Sequence, residues 1–101
     1  MQQPMTYEAV VVALAERPAW ALVNGRLVRE HAFGSWAAAH AAIAPIVALA
    51  ERLDHHPDWQ QRGGTLRIEL MTHRPRGISQ LDFDLAAAID AVLPEESTCS
   101  A

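Results

Sequence analysis

Alternating hydrophobic and polar positions predict a strand in the second half of the chain. Within residues 65–72, the even-numbered positions Leu66, Ile68 and Leu70 form one set, and the odd-numbered positions Arg67, Glu69 and Met71 form the other. Alternation places each set on its own face of a strand, so the Leu and Ile set is expected to face the core. His73 continues the second set and is expected to point away from that core. Residues 74–77 are expected to form a loop.

Apolar residues at helical spacing predict three helices. The first covers residues 5–16 and is capped by Thr6, the second covers 35–54 and is capped by Ser35, and the third covers 80–93. The expected buried stripes are Trp36, Ala39, Ile43, Ile46 or Val47, Ala50 and Leu53 in the second helix and Leu81, Leu85, Ile89 and Val92 in the third. Pro45 is expected to kink the second helix because proline lacks a backbone donor and clashes with the preceding turn.

Three further strands complete the pattern. Residues 19–23 and 26–33 flank Asn24-Gly25, which favours a two-residue hairpin turn because both positions tolerate positive φ. Residues 58–61 form a short strand before an Arg62-Gly63-Gly64 turn. The order helix, strand, strand, helix, strand, strand, helix, with hairpins rather than crossovers, predicts an α+β fold. In this fold an antiparallel four-stranded sheet carries three helices on one face.

Size and charge narrow the class of protein. The 101 residues suffice for one domain, and residues 94–101 are expected to form a disordered tail. The net charge of −4 argues weakly against non-specific binding of nucleic acid. The one cysteine, Cys99, cannot form an intrachain disulfide, and neither a signal peptide nor a membrane-spanning run is recognisable. A cytoplasmic protein without a membrane partner is therefore expected.

Three of the five histidines lie at the ends of predicted elements. His55 and His56 end the second helix, and His73 ends a strand. Imidazole both gives and takes protons near neutral pH, so several imidazoles in one pocket suit a reaction that needs an acid and a base. Glu51 lies one turn before His55 and is expected to accept a hydrogen bond from that ring and hold its tautomer.

The same residues allow other interpretations. A helix C-terminus favours histidine electrostatically, so residues 55–57 could be only a cap and a turn. Three histidines and a carboxylate could also bind zinc in a metal-dependent hydrolase. The spacing matches no recognised zinc signature, however, and adjacent histidines on extended backbone point to opposite faces. Ser79 to Asp82 fits a capping box, which could coexist with a role for Asp82 in orienting His73.

The remaining candidates have plainer interpretations. His31 and His40 are interpreted as structural or surface residues, and Trp20 and Trp59 as core or interface aromatics. Arg74 and Arg76 are interpreted as solvated loop residues that could contact an anionic group of a ligand.

Several segments together make the chain resemble a known family. Residues 51–59 (ERLDHHPDW) are similar to the signature segment of the pterin-4a-carbinolamine dehydratases. Leu70-Met-Thr72-His73, Gly77-Ile-Ser79 and Asp82-Phe-Asp-Leu85-Ala86 resemble that family's strand, third histidine and last helix at the family's spacing. Trp20 and the run Leu27, Arg29, Phe33 and Trp36 resemble its first hairpin and helix start. The resemblance covers residues 18–93.

The resemblance implies an activity and a site. The family dehydrates 4a-hydroxytetrahydropterin to quinonoid dihydropterin and water without a metal or organic cofactor, and so recycles the pterin of aromatic amino-acid hydroxylases. Residue by residue, His55, His56 and His73 would be the catalytic histidines, with Asp82 supporting His73. We assign proton transfer to His55 and His73 and pterin binding to His56. The expected substrate-binding residues are Glu51, Pro57, Asp58 and Trp59.

The resemblance also implies partners and an alternative. A homodimer or homotetramer is expected, with a hydroxylase as a pathway partner. Some family members are a transcription-factor dimerisation cofactor or Rubisco assembly factors, so a non-catalytic protein-binding module is the alternative function. The complete histidine set favours the enzyme. Gly63 is a departure, because the family usually has an aromatic residue six positions after this proline. The absence of the aromatic side chain would lower pterin affinity if that side chain fills the pocket in the family. It would change little if the side chain only packs against the hairpin.

Overall fold

Four antiparallel strands form the centre of the fold, in the spatial order Ala21–Val23, Arg26–Ala32, Thr65–Leu70 and Asp58–Arg62. The computed structural model describes residues 3–93, so the tail predicted at 94–101 lies outside the described residues. In chain order the elements are α1 (Tyr7–Leu14), β1 (Ala21–Val23), β2 (Arg26–Ala32), α2 (Trp36–Ala41), α3 (Ile43–Leu53), β3 (Asp58–Arg62), β4 (Thr65–Leu70), β5 (Thr72–His73), β6 (Arg76–Gly77) and α4 (Gln80–Val92). The predicted α+β fold with a four-stranded antiparallel sheet is confirmed. No helix within residues 3–93 is long and apolar enough to cross a bilayer.

Two tight turns build the sheet. Asn24 and Gly25 have φ values of 50° and 78°, which confirms the predicted hairpin between β1 and β2. Gly63 and Gly64 join β3 to β4, and Gly63 also has a positive φ of 54°. A Cβ atom on Gly64 would lie 2.9 Å from the backbone nitrogen of Ser35, so the turn passes the start of α2 too closely for any side chain at this position.

The core lies between the helices and one face of the sheet. Leu66, Ile68 and Leu70 of β4 are buried as predicted, and the strand register places Leu27 of β2 directly beside Leu70. The helices contribute Val10, Ile46, Leu49, Phe83, Leu85, Ala86 and Ile89 to the same cluster. The predicted inward set of β4 is therefore the central layer of the core.

The predicted second helix is interrupted earlier than expected. Helix α2 ends at Ala41 and α3 begins at Ile43, and the backbone N–H of Ala42 donates to the carbonyl of Ala39 instead of continuing the α-helical pattern. Pro45 lies in the first turn of α3. Proline has no N–H to donate to the carbonyl of Ala41, four residues earlier, so the interruption precedes the proline rather than coinciding with it.

Several predicted faces are wrong in detail. Met71, assigned to the outward set of β4, is buried, because the strand ends at Leu70 and the alternation stops there. Trp36 is 60% exposed at the first position of α2, where its ring stacks on His40 with centroids 5.0 Å apart. Val92, in the last turn of α4, is also largely exposed.

The segment predicted as a loop after β4 is a small hairpin. Thr72 pairs with Gly77 and His73 pairs with Arg76, so only two residues form the tip. This second sheet continues directly from β4. The fold thereby brings His73 back beside the start of α4.

Candidate active site

The two histidines that follow α3, His55 and His56, point in different directions. Asp54 adopts a left-handed conformation with φ 52°, and its N–H donates to the carbonyl of Glu51. The N–H of His55 donates to the carbonyl of Ala50 at 3.0 Å, which completes a Schellman-type helix end. The chain reverses at this point before β3 begins at Asp58. His55 therefore turns inward, where it is buried, and His56 is exposed.

The ring of His55 is held by a fully buried carboxylate. Its Nε2 lies 2.6 Å from Oδ1 of Asp82, which is 0% exposed. A carboxylate only accepts hydrogen bonds, so we assign the proton to Nε2 of His55. This assignment leaves Nδ1 of the neutral ring as its remaining proton-accepting atom. The pair joins the end of α3 to the first turn of α4.

Two further donors fix the carboxylate itself. The other oxygen of Asp82, Oδ2, accepts the hydroxyl of Thr72 and the backbone N–H of Ser79, each at 2.9 Å. Since the single Thr72 hydroxyl hydrogen is used there, the Ser79 hydroxyl donates to Thr72 Oγ1 at 2.6 Å. The predicted capping box at the start of α4 is thus present and also anchors His55.

Glu51 pairs with the neighbouring histidine rather than with His55, so that part of the prediction is wrong. Its Oε2 lies 2.9 Å from Nε2 of His56, and both side chains are more than half exposed. Helical spacing predicted a contact with His55, but the helix ends before His55. The left-handed residue Asp54 carries the His55 side chain away from the face occupied by Glu51.

His73 occupies the hairpin side of the site. It lies at the end of β5, is exposed, and forms no side-chain hydrogen bond with any residue of the described chain. The expectation that Asp82 supports His73 is wrong, because the buried oxygens of Asp82 face His55, Thr72 and Ser79. The ring of His73 therefore remains open to a ligand.

All three histidines line one open cleft of about 490 Å³. Its other lining residues are Asp54, Pro57, Asp58, Thr72, Arg74 and Leu81. The cleft thus brings together a buried ring fixed by a carboxylate, an exposed ring paired with a carboxylate and an exposed ring without a partner among residues 3–93. Such a set can both donate and accept protons around one small molecule.

The expected binding residues divide into two groups. Pro57, which is buried, and Asp58 line the cleft, and Asp58 also accepts a hydrogen bond from Arg26 at 3.0 Å. Glu51 and Trp59 lie outside its lining, although Glu51 contacts it through His56. Trp59 is 41% exposed on the edge strand β3.

Three lining residues, Asp54, Thr72 and Leu81, had received no functional role from the sequence. Thr72 was recognisable only as part of a motif, and its hydrogen bond to Asp82 spans 10 positions. Leu81 was assigned to a buried helix face, yet it also lines the cleft. Neither contact could be derived from local spacing. Within residues 3–93, no three His, Cys, Asp or Glu side chains converge in a way that could hold a metal ion.

Gly63 lies away from the histidines. It occupies the β3–β4 turn and is not part of the cleft lining, and a Cβ atom built on it would meet nothing within 4 Å. The position at which the sequence departs from the pattern that it resembles is therefore an open hairpin tip and not part of the cleft wall.

Comparison with known proteins gives consistent matches. The sequence model of the family described as Pterin 4 alpha carbinolamine dehydratase matches residues 3–92. A protein of Solibacter usitatus that is provisionally named a pterin-4-alpha-carbinolamine dehydratase is 38% identical over 92 residues, which cover 91% of this chain and 97% of the relative. A protein of Chloroflexus aggregans with the same provisional name is 43% identical over 81 residues, covering 79% and 86%.

Solved structures agree on the fold. A transcriptional coactivator/pterin dehydratase from Brucella melitensis superimposes with a TM-score of 0.85 at 26% identity and covers 91% of this chain and 100% of its own. A pterin dehydratase-like protein described as a RuBisCO assembly factor in the alpha-carboxysome has a TM-score of 0.61 at 25% identity and covers 72% and 87%. With a family model that spans nearly the whole described chain and relatives above one third identity, the chain belongs to the pterin 4 alpha carbinolamine dehydratase family.

Proposed function

We propose that this protein dehydrates 4a-hydroxytetrahydropterin to quinonoid dihydropterin and water by histidine acid–base catalysis. The observation that supports this most strongly is the convergence of three histidines from two separate segments on one cleft, with His55 held by the buried Asp82. Asp82 also caps α4 through Oδ2, but a helix cap alone does not require its other oxygen to hold the ring of a histidine that lines the cleft.

The reaction needs two proton movements. The C4a–O bond breaks, and the departing hydroxide must receive a proton to leave as water. The N5–H bond then gives up its proton while its electron pair forms the N5=C4a double bond of the quinonoid ring. No net proton is consumed, so one imidazolium and one neutral imidazole suffice, and each is restored when the two exchange protons with solvent.

His55 and His73 are the residues to which we assign these transfers. The Nε2–H bond to Asp82 fixes the ring of His55 and leaves Nδ1 as its reactive atom. His73 is exposed in the cleft and, within the described chain, unengaged, so it can approach the reacting atoms directly. His56, whose Nε2 is engaged by Glu51, is assigned to binding the pterin. Pro57 and Asp58 contact the ring system from the same segment.

Stopped-flow absorbance of 4a-hydroxytetrahydropterin tests this proposal. Wild type should accelerate dehydration over the spontaneous rate. His55→Gln and His73→Gln should each lower kcat/KM by about a hundred-fold or more, in line with the usual contribution of a general acid or base. His40→Gln is the matched control, because His40 is an exposed histidine that stacks on Trp36 outside the cleft. A well-folded wild type that gives no acceleration would contradict the dehydratase function.

A protein-assembly role is the second candidate, favoured by the similarity to the RuBisCO assembly factor. A folded but inactive wild type would shift the preference to that role. A homodimer or homotetramer, a hydroxylase as pathway partner and a cytoplasmic location stay predictions that rest on the sequence. Light scattering of the purified chain tests the first of these.

A further inference from the structure

The lining of the histidine cleft carries charges of opposite sign. Asp54 and Asp58 lie on the segment that joins α3 to β3, and Arg74 lies at the tip of the β5–β6 hairpin. All three residues line the cleft, and Asp58 also accepts a hydrogen bond from Arg26. A ligand that enters the cleft therefore meets carboxylates on one segment and a guanidinium on another.

Arg74 differs from the arginines that maintain the fold. Acidic side chains pair with Arg17, Arg26, Arg29 and Arg67. Within residues 3–93 none pairs with Arg52, Arg62, Arg74 or Arg76, and of these four it is Arg74 that lines the histidine cleft. The paired guanidinium groups link strands or connect the sheet and the α1–β1 loop to α4. Arg74 forms no ion pair that joins elements of the described chain, so its N–H donors are available to a ligand.

The hairpin holds Arg74 beside the proposed chemistry. The pairs Thr72–Gly77 and His73–Arg76 leave only Arg74 and Pro75 at the tip. Arg74 therefore follows His73 directly at the mouth of the cleft. A guanidinium offers five planar donors that match a carboxylate or phosphate and no acceptor for a neutral donor group.

A pterin has a matching polarity. The 2-amino group and N3–H are donors on the edge of its pyrimidine ring, and its variable substituent projects from C6 at the opposite end. If the donor edge faces the carboxylates of Asp54 and Asp58, the C6 substituent faces Arg74. A neutral hydroxyl substituent can accept a hydrogen bond from the guanidinium, whereas an anionic substituent also pairs with its charge, and charge-assisted hydrogen bonds are the stronger ones.

We propose that Arg74 is a specificity residue that binds an anionic C6 substituent, a carboxylate or a phosphate, so that this cleft selects acidic pterins. This inference rests on the proposed function, because it takes the ligand of the cleft to be a pterin. It goes further by defining the charge of the substrate's side chain.

Equilibrium binding measured by pterin fluorescence tests the inference without requiring turnover. The probes are pterin-6-carboxylate, the phosphate monoester of 6-hydroxymethylpterin and neutral 6-hydroxymethylpterin. Wild type should bind at least one anionic probe more tightly than the neutral one. Arg74→Gln should reduce that ratio of Kd values about five-fold, as expected for one charged contact near the surface. Arg74→Lys should restore part of it, and added salt should weaken it.

Arg76→Gln is the matched control, because it removes the same charge from the same hairpin outside the cleft lining. It should leave the ratio of Kd values unchanged. Equal affinity of wild type for charged and neutral probes, or an equal loss of preference in Arg74→Gln and Arg76→Gln, would overturn the inference while the dehydratase proposal survives. No binding of any probe to folded wild type would overturn both. The anion that binds more tightly identifies the carboxylate or the phosphate as the preferred group.

Discussion

At the scale of single residues, Asp82 has the most consequential position in the site. It is fully buried, caps α4 through the N–H of Ser79, accepts the hydroxyl of Thr72 and holds Nε2 of His55. A buried carboxylate is tolerated because three donors satisfy it. The same side chain therefore stabilises the start of a helix and fixes the orientation of a proposed catalytic ring.

Asp82→Asn should affect both functions of this residue. An amide replaces one of the two oxygens by an NH2 group, which cannot accept a hydrogen bond. At the position of Oδ2 it would oppose two donors, Thr72 and Ser79, and at the position of Oδ1 only His55. We therefore expect the NH2 group to face His55, so that the bond which holds this ring is lost. We expect kcat/KM for dehydration to fall about ten- to a hundred-fold. The free energy of unfolding, measured by urea denaturation, should fall by about 1–3 kcal/mol.

Asp84→Asn is the control for this change, because Asp84 lies in the same helix turn and, within residues 3–93, accepts a side-chain hydrogen bond only from the exposed Gln80. It should change neither quantity appreciably. If Asp82→Asn loses stability but retains full activity in the folded state, Asp82 is only a helix cap.

At the scale of elements, the sheet has one apolar and one charged face. The face away from the helices carries a chain of ion pairs in which Arg67 links Glu69 and Glu30, and Arg26 links Glu69 and Asp58. These pairs cross from β2 to β4 and on to β3. The ion pairs provide partners for the outward-facing side chains of β4, Arg67 and Glu69. The inward-facing side chains of the same strand form the core.

The ion pairs predict a pH dependence of stability. The hydrogen bond from Arg67, joined by the charges of Arg67 and Arg26, holds the pKa of Glu69 below its ordinary value of 4.5. The pair therefore contributes above that value, and the contribution is lost as the pH falls through the lowered pKa. We expect wild type to be more stable than Glu69→Gln by at most about 1 kcal/mol at neutral pH and by progressively less below about pH 4.

Urea denaturation of both proteins from pH 7 to pH 3 measures this difference, because the interval runs from about 2.5 units above to about 1.5 units below the usual pKa of a glutamate. Glu16→Gln provides the comparison, because Glu16 is exposed and has no ion pair within residues 3–93. A difference between wild type and Glu69→Gln that stays constant with pH would show that the carboxylate contributes only packing.

At the scale of the whole molecule, polar contacts on α4 fasten the helical layer to the sheet. Near its start Asp82 reaches the end of α3, and near its end Asp90 reaches the sheet. Asp90 accepts hydrogen bonds from Arg17, from the indole N–H of Trp20 and from Arg29 of β2, which is 3% exposed. The helix that orients the site is thus anchored at both ends. That the chain forms one domain stays a prediction.

Asp90→Ala should weaken this attachment. It removes the carboxylate that accepts from the buried guanidinium of Arg29, and taking one partner from a buried pair typically costs about 3 kcal/mol. We expect the urea midpoint to fall accordingly. Asp84→Ala, an exposed aspartate on the same helix, should shift stability by less than about 0.5 kcal/mol. A loss in Asp90→Ala no larger than that of the control would show that apolar packing alone holds α4.

Local rules determined much of this fold. The alternation of Leu66, Ile68 and Leu70 and the Asn24-Gly25 turn were readable because a strand's faces and a two-residue turn depend only on neighbouring residues. The ends of elements were less predictable. β4 stops before Met71 because the chain there leaves one sheet to begin a second hairpin.

The sequence by itself determined which histidines meet, since His55, His56 and His73 all line the cleft, but two of the expected binding residues, Glu51 and Trp59, lie outside its lining. Only the tertiary structure decided how the histidines are paired. Helical spacing predicted a hydrogen bond between Glu51 and His55. Because the chain turns at the left-handed residue Asp54, Glu51 instead bonds with His56, and His55 bonds with Asp82, 27 positions away. The contact between His55 and Asp82 requires the end of α3 to lie beside the start of α4. The packing of the whole core sets the distance between these two helix ends.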